Sequence, residues 1–136
     1  MSKPIPAVAK YMTASPHSIG QEQTLSAAHK VMRDHACRHL PVMHGGQLVG
    51  IVTERDLHLV ESLKDVDPEK VLVEDAMSTS VYSVPPEAPL DEVVSEMAAR
   101  KYGSAVVMQN GKVVGIFTTV DACQALAELL QTRLAK

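Results

Sequence analysis

Two acids stand at the same spacing behind a threonine, Thr53 with Asp56 and Thr118 with Asp121, in the runs GIVTERDL (50–57) and GIFTTVDA (115–122). Each run leaves a β-prone stretch and enters a helix-prone one. A hydroxyl followed three residues later by an acid is close to a capping box, in which the hydroxyl accepts an amide hydrogen of the first turn and the acid answers the cap amide. An acid in a first helical turn at the end of a strand also offers two acceptor oxygens to the paired hydroxyls of a ribose, and nearby amides and hydroxyls favour phosphate. The two roles are compatible, and the residue types leave both open.

A second reactive group is HACRH (35–39), where His35, Cys37 and His39 are zinc ligands by type. In an extended segment these alternate positions share a side but step about 7 Å each, too far to converge on an ion that takes ligands near 2 Å. No acid or base is tied to Cys37 by a local pattern, which argues against a thiol nucleophile. A metal- or thiol-dependent protein built on His35, Cys37 and His39 is therefore the weakest of three functional readings.

The elements that position these residues come in duplicate. Residues 8–57 align without a gap on 73–122, and 15 of those 50 positions are identical, among them Met12/Met77, Met32/Met97, Gly46/Gly111, the Val-Gly-Ile runs, Thr53/Thr118 and Asp56/Asp121. Chance supplies about three, since random pairs agree at roughly one position in sixteen. The chain is thus two copies of one structural unit. Unit 1 is expected over 8–63, a polar connector over 64–72 and unit 2 over 73–134.

Within each copy the hydrophobic period changes in the same order. Leu90, Val93, Val94 and Met97 lie on one helical face, as do Leu25, Ala28, His29 and Met32 in the first copy. His29 on that face reads as a mostly buried imidazole with one hydrogen bond. A short β-prone run, a turn (HGGQ or QNGK) and a second run follow, and Asn110-Gly111 predicts a two-residue hairpin turn. A β-α-β-β-α unit of the α/β (α+β) class results. Its small sheet leaves one face bare, so two units are expected to pack about a pseudo-twofold axis.

The tandem copies, the YMT/AMS lead-ins, the RHLPVM strand and above all Gly-Ile-x-Thr-x-x-Asp resemble a pair of cystathionine β-synthase (CBS) domains, a Bateman module, over about residues 8 to 126. The resemblance is to the small stand-alone members. It implies a regulatory, non-enzymatic module that binds an adenosine-containing ligand in the cleft between the units, with no required cofactor: AMP, ADP or ATP, or else NAD or S-adenosylmethionine.

By that resemblance Thr118 and Asp121 meet the ribose of a ligand whose base lies near Thr13, Pro16 and His17 and beside Cys37 to Leu40, with Arg38 and His39 towards its phosphates. Reciprocally, Thr53 and Asp56 face Ser80, Val81 and Tyr82, with Gly103 and Ser104 at the matching strand start and Arg55 as the only nearby replacement cation. The Asp121 end is accordingly expected to be the better one for a charged nucleotide. Ligand binding would pass as a conformational change to a regulated protein partner. A homodimer is expected through Leu57, Val60, Leu126, Leu129, Leu130 and Leu134. The alternative is a purely structural homodimer in which both Thr-x-x-Asp motifs are helix caps only.

Composition narrows the partners. The 136 residues are 46% hydrophobic, with one Phe, three Tyr, no Trp and a net charge of −3. An aliphatic core is implied, and neither the stacking aromatics nor the basic clusters of a nucleic-acid binder are present. No apolar stretch has the length of a membrane span, and MSKPIPAVAK lacks the features of a signal peptide, so a cytoplasmic protein with two reduced cysteines is expected.

Overall fold

The computed structural model describes residues 4–133. In chain order the elements are β1 (Thr13–Ala14), β2 (Ile19–Gly20), α1 (Leu25–His35), β3 (His39–His44), β4 (Gln47–Thr53), α2 (Glu54–Glu61), β5 (Ser83–Val84), α3 (Leu90–Arg100), β6 (Ser104–Gln109), β7 (Lys112–Thr118) and α4 (Thr119–Arg133), with 3-10 turns at Val8–Lys10 and Val73–Asp75. The mixed α/β class and the duplicated β-α-β-β-α order are as the sequence predicts.

Local chemistry sets the boundaries. Thr24 caps α1, its hydroxyl accepting the Ala27 amide at 3.1 Å, and the helix stops where Ala36 turns left-handed at φ 52°. Helix α3 stops in the same way at Lys101, φ 61°, and Pro89 stands at its N-cap, one residue before the first turn. Asn110 and Gly111 both have positive φ, 54° and 76°, and so do Gly45 and Gly46, 57° and 79°, which gives two tight hairpins of matched twist. Both hairpins slip register at the equivalent place, between Val42 and Met43 and between Val107 and Met108.

The chain forms two compact units that differ in continuity. One, the contiguous unit, is Pro16–Val81; the other, the split unit, joins Met1–Ser15 to Tyr82–Lys136. The contiguous unit has a sheet of order β2-β3-β4 and the split unit one of order β1-β7-β6-β5. In the split unit, β1 runs antiparallel to β7, with Thr13 opposite Ile116, and the Leu90 amide bonds the Pro6 carbonyl at 2.9 Å. In the contiguous unit, Ile51 and Ser78 exchange backbone hydrogen bonds of 2.9 and 2.8 Å, and the Leu25 amide bonds the Val71 carbonyl at 3.0 Å. The segment that leads into each repeat is therefore built against the hairpin of the other repeat.

That exchange explains the repeated glycines. A Cβ on Gly50 would stand 2.7 Å from Met77 Sδ and 2.8 Å from the Ser78 carbonyl oxygen, and one on Gly115 would collide with Met12 Sδ. The identities Met12/Met77 and Gly50/Gly115 are two sides of one contact, made once in each unit.

Each unit has its own core. Leu25, Met32, Leu40, Val42, Val52 and Leu57 centre the contiguous one, and Val93, Met97, Val107, Phe117 and Ala125 the split one. Some expectations for the interface helices change here. Leu57 is fully buried and Val60 packs against the same core, because α2 folds back on α1. Leu126 and Leu130 on α4 are 56% and 45% exposed, and Leu134 lies outside the described residues. Residues 64–72 are more than a tether: Val66 and Val71 pack on the contiguous core, and the Ser26 amide bonds the Pro68 carbonyl at 2.9 Å.

Candidate functional site

In the contiguous unit the start of β3, the end of β4 and the first turn of α2 meet. His39 pairs with Thr53 across the hairpin, and the Glu54 amide bonds the Arg38 carbonyl at 2.9 Å. Thr53 and Asp56 form the capping box in full: the Asp56 amide donates to the Thr53 hydroxyl at 3.1 Å, and the Thr53 amide donates to Asp56 Oδ2 at 3.0 Å. Among the described residues, Asp56 Oδ1 receives no hydrogen bond, and the residue is only half-buried.

The neighbourhood of Asp56 is basic in type. Arg38 reaches Glu54 at 4.0 Å with its side chain 80% exposed, a loose pair that a ligand anion can compete for. Arg55 is exposed on the same helical turn. Burial holds the His39 imidazole below its ordinary pKa, against the pull of Asp56 towards the charged form and with a smaller push from Arg38. His39 is thus a neutral hydrogen-bonding group near pH 7.

The equivalent end of the split unit is built differently. The Thr118 amide donates to Asp121 Oδ2 at 3.0 Å, and the Asp121 amide reaches the Thr118 hydroxyl at 3.4 Å. Thr13 adds a third partner, its hydroxyl lying 3.2 Å from Oδ1 and 3.3 Å from Oδ2 of Asp121. Asp121 is 8% exposed. Gly103 and Ser104 occupy the strand start beside it, the Thr119 amide bonding the Gly103 carbonyl and Ser104 pairing with Thr118.

The remaining expected site residues distribute as follows. Thr13 joins Thr118 and Asp121 in the split unit, and Tyr82, Gly103 and Ser104 belong to that unit too. Pro16, His17, Cys37, Arg38, His39, Leu40, Ser80 and Val81 belong to the contiguous unit with Thr53, Arg55 and Asp56. Leu40 is fully buried opposite Val52, so its side chain is core rather than ligand surface. Ser80 donates its amide to the Ser78 hydroxyl at 3.3 Å.

The His/Cys cluster is dispersed by the same backbone. The His35 ring stacks on His17, centroids 3.5 Å apart, whereas His39 lies on β3. Cys37 packs against the core, and burial pushes its thiol pKa up, the opposite of what a nucleophile needs. Both cysteines are free. Among the described residues no three His, Cys, Asp or Glu side chains are grouped so as to hold a metal ion. His29, half-buried, bonds Glu61 at 2.5 Å, so its expected single partner is a carboxylate on α2.

Two features escaped the sequence. Tyr102 stacks on Tyr82 at 5.2 Å, and the Tyr82 hydroxyl is held protonated to higher pH by burial first and by Glu96 and Glu92 next. The repeat alignment sets Tyr82 opposite His17, and a ring at both aligned positions was the available signal. The second feature is an apolar groove of about 230 Å³ in the split unit, lined by Ile5, Leu90, Val94, Ala122, Ala125 and Leu129. At the aligned positions the contiguous unit carries Leu57 for Ala122 and Val60 for Ala125, and His29 with Glu61 for Val94 and Leu126. No helix among the described residues is long and apolar enough to cross a membrane.

A tandem repeat whose hairpins each deliver a Thr-x-x-Asp cap to a helix start defines a paired small-domain module. A family model described as CBS domain matches residues 8–60 and 73–128, and the chain belongs to that family. Over 122 residues the chain is 30% identical to an inosine-5'-monophosphate dehydrogenase of Korarchaeum cryptofilum, covering 89% of this chain but only 24% of that enzyme. The chain thus spans about a quarter of that relative. A crystal structure of a putative acetoin utilization protein (AcuB) from Vibrio cholerae superposes with a TM-score of 0.83 at 29% identity, covering 98% of this chain and 100% of the other. The CBS domain pair of protein MJ0100, solved in complex with 5'-methylthioadenosine and S-adenosyl-L-methionine, gives a TM-score of 0.83 at 25% identity, covering 92% and 98%.

Proposed function

We propose that the chain is a regulatory module that binds an adenosine-containing ligand of the AMP, ADP or ATP class at a Thr-x-x-Asp end and passes the binding event to a protein partner as a change of conformation. The observation that carries this reading is the carboxylate at each hairpin end. Each is fixed by backbone hydrogen bonds at a helix start, where amides and the helix dipole favour anionic groups and a carboxylate that keeps a free oxygen accepts ribose hydroxyls. The adenosine ligands of the MJ0100 pair support the same ligand class. No metal or cofactor is invoked. The exposed Leu126 and Leu130 on α4 support a homodimer in which this face is covered.

A ligand moves a conformational equilibrium only by its differential affinity for the two states. AMP and ATP should therefore compete for one site yet favour different conformations. The deciding experiment is native and denaturing mass spectrometry of the purified protein, followed by calorimetric titration with AMP, ATP and 5'-methylthioadenosine. Release of an adenosine-containing compound, or titration with any of the three, supports the reading. A protein that carries none and binds none leaves both motifs as helix caps in a structural module.

A further inference from the structure

We infer that the two Thr-x-x-Asp carboxylates have separate tasks: Asp56 is the ligand acceptor and serves a phosphate-bearing ligand, while Asp121 is a clasp that fastens β1 to the end of the β6–β7 hairpin. This inference rests on the adenosine reading above and reverses the order expected from the sequence.

The internal repeat supplies the comparison. Thr13 and Ser78 occupy equivalent positions in the two lead-in segments. The Thr13 hydroxyl turns onto both oxygens of Asp121, but the Ser78 hydroxyl is turned to its own loop, where it accepts the Ser80 amide. Asp121 then answers Thr13 together with the Thr118 amide and hydroxyl, and is sealed at 8% exposure. Among the described residues Asp56 answers its cap amide alone, through Oδ2, and keeps Oδ1 for another donor. Two vicinal hydroxyls need a carboxylate with lone pairs in reach, and Asp56 provides them.

The surroundings divide in the same direction. At aligned positions the Asp56 end has Arg38, His39 and Arg55 where the Asp121 end has Gly103, Ser104 and Val120. Arg38 and His39 are tied to this end through the Glu54 amide and the pairing with Thr53. Guanidinium groups beside a helix start are the usual chemistry for phosphate. The Asp121 end offers the hydroxyls of Thr13 and Thr118, with no cation at any of the three substituted positions.

The test uses the full chain in calorimetry with AMP and with adenosine, alongside thermal unfolding. Asp56→Asn keeps an oxygen for the Thr53 amide but loses the charge, and is expected to weaken AMP at least tenfold more than Asp121→Asn does. Asp121→Asn and Thr13→Val are expected to show their effect in the unfolding midpoint. AMP should bind at least tenfold tighter than adenosine, and Arg38→Ala with Arg55→Ala should remove most of that advantage.

If Asp121→Asn loses the greater share of AMP affinity with an unchanged midpoint, the assignment of tasks is overturned while the adenosine reading stands. If adenosine binds as tightly as AMP, the phosphate preference is overturned. If the unaltered protein binds neither, the adenosine reading fails and takes this inference with it.

Discussion

Thr13 lies within hydrogen-bonding distance of both carboxylate oxygens of Asp121, at 3.2 and 3.3 Å, across 108 residues of sequence. Because Thr13 sits on the two-residue strand β1, this contact and the pairing with β7 hold the start of the chain to its last hairpin. Thr13→Val keeps the shape and removes the hydroxyl, leaving Asp121 short of a donor. A loss of about 1 kcal/mol is expected in urea denaturation. Ser78→Ala, which removes an exposed contact to the Ser80 amide, should cost distinctly less.

The glycines under the lead-in segments are predicted to differ in tolerance. Gly50→Ala brings a methyl against the Ser78 backbone oxygen as well as Met77, whereas the three atoms nearest a methyl at Gly115 all belong to the Met12 side chain, which has rotamers to spare. Both overpack the contact, at about 1 to 3 kcal/mol. Gly50→Ala should lie at the upper end and Gly115→Ala at the lower, as read from denaturant midpoints at equal m-values.

Acid should weaken the contiguous unit through His39. Burial lowers its folded-state pKa beneath the ordinary 6.5, so below pH 6.5 the unfolded chain binds a proton that the folded chain resists. Its contribution is complete above 6.5 and is lost as pH falls through 6.5 towards the folded value. Urea titrations at pH 7.5 and 5.5 should show lower stability at 5.5, and His39→Gln should shrink the difference. An equal difference in the variant would assign the effect to other groups.

Self-association is expected to run through α4. Leu126→Glu with Leu130→Glu places two charges on its exposed apolar face, and light scattering at micromolar concentration should move from the mass of a dimer to that of a monomer. The helix itself should persist, since Glu is a good helix former. A monomeric unaltered protein would sink the dimer outright.

The groove beside α4 is predicted to be an encoded vacancy. Ala122→Leu restores the side chain found at the aligned position 57, where Leu57 is fully buried. Burying that extra apolar surface should stabilise the chain by about 1 to 2 kcal/mol in the same denaturation assay.

Much of this architecture can be read directly from residues. The helical face of Leu90, Val93 and Met97, the positive-φ pair Asn110-Gly111 and the Thr53/Asp56 box depend on neighbours within a few positions, where spacing is informative. Strands β1 and β2 have two residues each, too short for a period of two to register. The exchange of lead-in segments and the Thr13–Asp121 clasp are long-range pairings, and no local pattern announces them. Leu57 is buried rather than at an interface for a related reason: one face of an eight-residue helix is ambiguous until its partner α1 is fixed. The identical Met12/Met77 and Gly50/Gly115 pairs were visible, but their meaning needed the crossing of two segments far apart in sequence.

The split unit also sets an order of assembly. As the chain leaves the ribosome, residues 16–81 hold every strand and helix of the contiguous unit, which can close early. Strand β1 is made first, yet its partner β7 is among the last elements made, so the oldest segment stays unpaired through most of synthesis. A circularly permuted chain that starts at residue 82, joins 136 to 1 through a flexible linker and ends at 81 would bring β1 close behind β7. Contacts of low sequence separation form faster, and in that permutant the delayed closure of the split unit would become a local event.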